Sequence, residues 1–371
     1  MDFERLFLAT LLSVGINLLV NQIVQPGQEK QLAKLMNEAY NLGEYYYKSR
    51  KFNEAFKLFG LSIAVASKLE NDLIIIRSSN QIASIANDLE YYDVALAQYA
   101  QTLNISQEKG DGIEAGNSLN KMGEIYEQKS DYKQALEAFQ KALQAVREPN
   151  QTRITQEENE DQNLQLNEKV VEGEILNNLG ELYNQSEKYN QVIDYSRQAI
   201  ALAQEASDRK IEAKALNNLG VAYKNLGKFT EALEAHKRAL TIYKYLSDPA
   251  ELAQTKTHLG SVYNSLGEYA QVAQLHQNAI ATAQAINNPE LQADVFSNIG
   301  YFYNSLGQDD QALQYHKLAL EIAREIENTF LEGRALNEIG NIYTQQGKYD
   351  EALNFHQQVL ALAEQSEIQQ L

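Results

Sequence analysis

Four of the five histidines in this 371-residue chain, His236, His276, His316 and His356, stand 40 residues apart. Imidazoles at a fixed interval are what a shared metal ion or a proton relay would use, because a ring nitrogen can ligate or carry a proton. Phe59, Tyr99 and Phe139 hold the corresponding place earlier in the chain. A column that takes phenyl and imidazole alike asks for a flat ring, not for a ligand. The ligands of one zinc must all lie about 2 Å from the ion, whereas helices packed side by side are about 10 Å apart. These histidines therefore read as packing residues.

The other chemical candidates fail on spacing. "GVAYKNLGKFT", from Gly220 to Thr230, has the look of a phosphate loop. Six residues separate its glycines where four are needed, and Phe229 stands in place of the Ser or Thr after Lys228. With no cysteine in the chain, disulfides, thiolate catalysis and Cys-based zinc sites are excluded. No pair of carboxylates stands out, and no Ser–His–Asp arrangement is visible. The sequence thus assigns no catalytic, cofactor-binding or metal-binding residue, and no enzyme is expected. A net charge of −18 and a pI near 4.8 argue against a nucleic-acid partner, which needs a basic face.

What must position these residues is a repeat. A Leu–Gly–x–x–Tyr tetrad recurs at Gly43, Gly123, Gly180, Gly220, Gly260, Gly300 and Gly340, with Ala83 in the second place. Successive steps are 40, 40, 57, 40, 40, 40 and 40 residues. The aromatic follows at Tyr46, Tyr126, Tyr183, Tyr223, Tyr263, Tyr303 and Tyr343. A small or branched column runs through Ala55, Ala95, Ala135, Val192, Ala232, Val272, Ala312 and Ala352, and a second through Ser62, Thr102, Ala142, Ala199, Ala239, Ala279, Ala319 and Val359. Within a unit, apolar residues recur at three and four, as in Leu216, Leu219 and Tyr223, then Phe229, Ala232 and Leu233. Each unit is therefore expected to be two helices. Gly227, Gly267, Gly307 and Gly347 are placed to end the first helix in a left-handed conformation. Asn71, Asp111, Asp208, Asp248, Asn288 and Asn328 are placed as N-caps of the next unit, with Pro249 and Pro289 at the first helical position. Asp248 and Glu251 have the spacing of a capping box.

These columns resemble the tetratricopeptide repeat family, over about residues 31 to 366. The 40-residue unit is most similar to the extended variety of kinesin light chains and of the G-protein regulators of spindle orientation. The resemblance implies an all-α, right-handed superhelical solenoid of eight helix-turn-helix units, with repeats one to three over 31–148 and four to eight over 167–371. Between them, the 17-residue insertion in the 57-residue step is polar and acidic, and residues 149–166 are expected to form a loop. Residues 1–25 form an apolar segment before the repeats. Its Leu6 to Val24 stretch is long enough for a membrane anchor, but Thr10, Ser13, Asn17 and Asn21 make a polar stripe along one face. A membrane anchor, a helix capping the first repeat or a partner, and a cleaved signal all stay open, so the expected location is cytoplasmic with a membrane tether as one alternative.

In the resembling family the first helix of each unit lines a concave surface. With Gly220 counted as position 8, the face opposite the packed side comprises positions 2, 5, 6, 9, 12 and 13. Of the 32 asparagines in the chain, 17 lie there, although asparagine is a poor helix former. A carboxamide offers a donor and an acceptor, the pair that grips a peptide backbone whatever its side chains. The "LNNLG" of Leu176–Gly180 and Leu216–Gly220 is similar to the asparagine ladder of the O-linked GlcNAc transferase repeats. Asn41, Asn178, Asn218 and Asn298 match the ladder, while Gln81, Lys121, His258 and Glu338 depart from it. The residues expected to bind a peptide are Asn177, Asn178, Asn184, Lys214, Asn217, Asn218, Lys224, Asn264, Asn298, Tyr301, Asn304, Arg334, Asn337 and Asn341. Charge on the face is nearly balanced, and the Lys–Asn–Asn–Lys–Arg clamp of chaperone co-factors is not evident. A scaffold or adaptor for a protein segment is the expected function. A peptide-sensing regulator and a membrane-associated assembly factor are the alternatives, with self-association through the last repeat as a further expectation.

Overall fold

The computed structural model describes residues 29–148 and 158–369, with side chains described over 29–148 and 164–364. Residues 1–25, with their anchor, cap and signal readings, lie outside the described residues. Among the described residues there are sixteen helices and no strand, an all-α helical-repeat solenoid. No helix among them is long and apolar enough to cross a membrane.

The chain divides into two compact units, through Leu182 and from Tyr183. The first holds α1 (Glu29–Lys48), α2 (Phe52–Lys68), α3 (Asp72–Asp88), α4 (Tyr92–Lys109), α5 (Gly112–Gln128), α6 (Tyr132–Arg147) and the body of α7 (Glu158–Gln185). The second holds the end of α7, then α8 (Tyr189–Ala206), α9 (Arg209–Asn225), α10 (Phe229–Leu246), α11 (Pro249–Ser265), α12 (Tyr269–Ala285), α13 (Pro289–Ser305), α14 (Asp309–Glu325), α15 (Thr329–Gln345) and α16 (Tyr349–Gln369). One expected boundary differs. The acidic insertion expected as a loop over 149–166 is helical from Glu158 onward, because α7 starts there and runs 28 residues into the fourth repeat. Residues 149–157 lie outside the described residues.

The turns between repeats are capped as their sequences require. Asn71, Asp111, Asp248, Asn288 and Asn328 each accept a hydrogen bond from the backbone N–H three residues on, and Asp208 accepts from Lys210 and Ile211. Asp248 caps Glu251 N at 3.3 Å, but its own N–H donates to Tyr243 O, so the box closes on one side only. Both kinds of turn also carry one left-handed residue: Glu70, Gly110, Ser207, Ser247, Asn287 and Glu327 between repeats, and a glycine or its stand-in inside them. Gly227 has φ +72°; its N–H donates to Lys224 O, and that of Lys228 donates to Tyr223 O. Arg50, Glu90, Ser130 and Glu187 adopt the same conformation without being glycine.

Packing follows the small columns. Ala55, Ala95, Ala135, Val192, Ala232, Val272, Ala312 and Ala352 are all buried. A Cβ added to Gly220 would stand 2.5 Å from His236 Nε2, and one on Gly123 would stand 2.5 Å from Phe139 Cε1. Ring and glycine are thus one device, repeated with phenyl early and imidazole late. Tyr183, Tyr223 and Tyr343 carry Lys188, Lys228 and Lys348 over their faces, 5.5–5.9 Å from the ring centre.

Candidate functional site

In each unit the odd-numbered helices carry the wall expected to bind a peptide, and in the second unit α9 touches α11, α11 touches α13 and α13 touches α15. That lateral contact decides which wall positions reach solvent. Position 5 of the expected arc is closed: Asn177 and Asn217, expected on the open wall, are buried, as are Asn120, Thr257 and Ser297 at the same position. Asn217 is fully engaged: its Oδ1 lies 3.0 Å from His236 Nδ1, and its Nδ2 donates to Thr255 Oγ1 at 2.8 Å. These two asparagines are correctly placed on the helix and wrongly placed in the groove. Asn337 is half-buried, and its amide donates to Glu338.

The remaining wall residues keep some access to solvent. Asn178, Asn184, Lys214, Asn218, Lys224, Asn264, Asn298, Asn304, Arg334 and Asn341 are half-buried and Tyr301 is 36% exposed. In the first unit the wall is largely paired with itself. Asn178 Nδ2 donates to Asn120 Oδ1 and Glu124, and Lys121 is salt-bridged to Glu124 at 2.9 Å. Tyr47 bonds Ser84, and its hydroxyl also donates to Asp88. In the second unit Asn184 donates to Asn218 O, Asn298 Nδ2 donates to Asp294 O, and Arg334 pairs with Asp294.

One part of the second unit differs. Lys224 on α9, Ser261, Asn264 and Ser265 on α11, His276 on α12, and Asn298, Tyr301 and Phe302 on α13 line a cleft of about 240 Å³. Four of them, Lys224, Asn264, Asn298 and Tyr301, are residues the sequence assigns to peptide binding. Asn264 Oδ1 accepts a hydrogen bond from Ser305 Oγ at 3.0 Å, which turns its NH2 group the other way. Burial holds the Lys224 ammonium below the ordinary lysine range, with no carboxylate opposing that shift. Burial likewise lowers His276 to about 4, so its imidazole is neutral at pH 7. Tyr301 is pushed up by burial and then by Glu338, and stays a phenol. His276 packs edge-on against Phe302, with ring centres 5.9 Å apart.

Sequence reasoning missed Ser261, Ser265 and the place of His276 in the cleft lining. The serines were legible as positions 9 and 13 of the same arc. His276 was legible only as a packing ring, because the helix that carries it is not the one that lines the wall. The histidine column does sit on the glycines as a packing feature. Among the described residues there is no group of three or more His, Asp or Glu placed to hold a metal ion.

A family model described as tetratricopeptide repeat matches residues 74–148, 172–244, 251–325 and 291–365, well over half of the chain. Among curated proteins no sequence matches. Solved structures share the fold. Aspartyl phosphate phosphatase F from Bacillus subtilis superposes with a TM-score of 0.61 at 15% identity, covering 97% of this chain and 90% of that one. A Rap protein complexed with competence and sporulation factor gives 0.61 at 15% identity, covering 92% and 99%. The Rap conjugation gene regulator of plasmid pLS20, in complex with a Phr peptide, gives 0.61 at 14% identity, covering 91% and 96%. At these identities the likeness is one of fold.

Proposed function

Because this chain belongs to the tetratricopeptide repeat family, we propose that it is a non-enzymatic scaffold holding a peptide segment of a partner protein on the inner wall of its second unit. The observation that carries the reading is the cleft between α9, α11 and α13. Lys224, Asn264, Asn298 and Tyr301 come from three successive repeats and converge on one polar cavity of side-chain size. Carboxamides and hydroxyls on rigid helices can donate to and accept from an extended main chain at little entropic cost, since the wall is already ordered. That two structural neighbours of this fold were solved with a peptide or factor bound supports the choice of ligand. One neighbour bears a phosphatase name, but at 15% identity it speaks for the fold alone.

The experiment is selection of a random peptide library displayed on phage against the full-length protein. Recovered peptides are then titrated by calorimetry against wild type and the Asn264→Ala/Asn298→Ala double variant. The reading expects enriched peptides whose affinity falls tenfold or more in the variant. Recovery no better than from bare support, or affinity unmoved by the double variant, rejects the groove.

A further inference from the structure

We propose that the cleft around Lys224 is a carboxylate subsite, which seats one acidic group of the bound segment; the proposal rests on the peptide-binding reading above and gives it a chemical preference.

The first ground is charge. The chain carries a net −18, yet no aspartate or glutamate lines this cleft among the described residues, and one lysine does. Elsewhere the chain pairs several of its cations with carboxylates. Arg334 pairs with Asp294, Lys121 with Glu124, and Arg209 and Arg238 both reach the buried carboxylate of Glu212. Withdrawing an ammonium from water without an opposite charge is unfavourable, and the missing term is what an incoming anion supplies.

The second ground is a set of unused donors. His276 is 4% exposed, lines the cleft, and has neither ring nitrogen hydrogen-bonded among the described residues. As a neutral imidazole it still offers one N–H. Asn264 spends its oxygen on Ser305, which leaves its amide hydrogens for a ligand. Of the hydroxyls around the same space, Ser261 adds a donor, while Ser265 donates to Ser261 O and the phenol of Tyr301 to Glu338. One ammonium ringed by neutral donors matches a singly charged carboxylate. A phosphate group, carrying about −1.5 to −2 at pH 7, would leave net negative charge buried against a single lysine. The cavity of about 240 Å³ is the size of a side chain or a chain end. The five-residue clamp absent from the sequence is not re-created here, since this site has one lysine and takes its imidazole from a second helix of the repeat.

Two measurements test the subsite. In the first, full-length protein with 13C-methylated lysines is titrated by NMR, and the Lys224 resonance is identified by its loss in Lys224→Gln. The probes are N-acetylglutamate α-methylamide, N-acetylalanine, N-acetylglutamine α-methylamide and inorganic phosphate. A saturable shift of the Lys224 signal with a carboxylate probe, and not with the glutamine amide, is expected; the stronger of the two carboxylates tells a side chain from a chain terminus. An equal response to the amide, or tighter response to phosphate, overturns the proposal. In the second, peptides from the phage selection have each acidic residue replaced by its amide. One such replacement should cost tenfold or more on wild type and nothing on Lys224→Gln, whose folding is checked by circular dichroism. Acid preference that persists undiminished in Lys224→Gln overturns it. If no peptide is recovered while the carboxylate probes still move Lys224, the scaffold reading fails and the subsite stands. If peptides bind with no acid dependence and no probe moves Lys224, the subsite fails alone.

Discussion

The imidazole of His316 lies so close to Gly300 that a Cβ built on the glycine would stand 2.5 Å from Nε2. Helix propensity and packing pull in opposite directions at this position. Alanine would gain about 1 kcal/mol over glycine in a helix interior, but overpacking a buried ring costs about 1–3 kcal/mol. Because His316 is fully buried, packing should win. Gly300→Ala is expected to lower the midpoint of urea unfolding. Gly333→Ala, inside α15 with nothing within 4 Å of its added Cβ, should raise it. Equal responses at the two glycines would reject the ring-on-glycine account.

The same histidines make stability depend on pH. His276 and His316 are lowered to about 4, His276 by burial and His316 by burial and then by Arg334. An unfolded histidine titrates near 6.5, so between about 6.5 and 4 the unfolded chain binds protons the folded chain refuses. The neutral-ring contribution is present above about 6.5 and is lost as pH falls through that window, by about 2 kcal/mol per imidazole at pH 5. Phe139 shows that a phenyl fits on the column's glycine. His316→Phe should therefore unfold less readily than wild type at pH 5, with a gap that narrows by pH 7.5. Chemical denaturation of both proteins at the two pH values measures it, and a gap independent of pH would reject the titration account.

Left-handed turns offer a third check. Glu187, at φ +55°, occupies the place that Gly227 fills at φ +72°. A side chain in this region costs about 1 kcal/mol relative to glycine. Glu187→Gly is expected to stabilise by about that amount, less the larger entropy of glycine in the unfolded chain. Gly227→Ala should destabilise by about 1 kcal/mol, and since nothing lies within 4 Å of its added Cβ, only backbone conformation can be responsible. Thermal unfolding of both variants reads the opposite signs.

A fourth prediction concerns Glu212, which is 3% exposed. Burial pushes its carboxyl up, but hydrogen bonds from Gln204 and Arg209 and the charges of Arg209 and Arg238 outweigh burial and hold it below the usual range. Its stabilisation is present above the unfolded glutamate value of about 4.3 and lost as pH falls through the folded one. Glu212→Gln should destabilise by about 1–3 kcal/mol at pH 7, with a smaller deficit near pH 3 by denaturant titration.

The repeat itself was written in residue types. The caps at Asn71, Asp111, Asp208, Asp248, Asn288 and Asn328 and the left-handed glycines follow from local rules acting within a few residues, and the ring column is legible from its 40-residue period. Helix period and capping are set by neighbours along the chain, so one sequence suffices to read them. Three features needed the folded chain. Asn177 and Asn217 share a helix face with residues of the open wall, yet both are buried, Asn217 by its bonds to Thr255 on the next odd-numbered helix and to His236. Helix α7 extends back to Glu158 through a polar stretch with no apolar stripe to announce it. Lys224, Asn264 and His276 meet in one cleft although they belong to two repeats and both helices of the second. Which sector of a helix its neighbour covers depends on packing between residues some 40 positions apart, and no periodicity within a single helix carries that information.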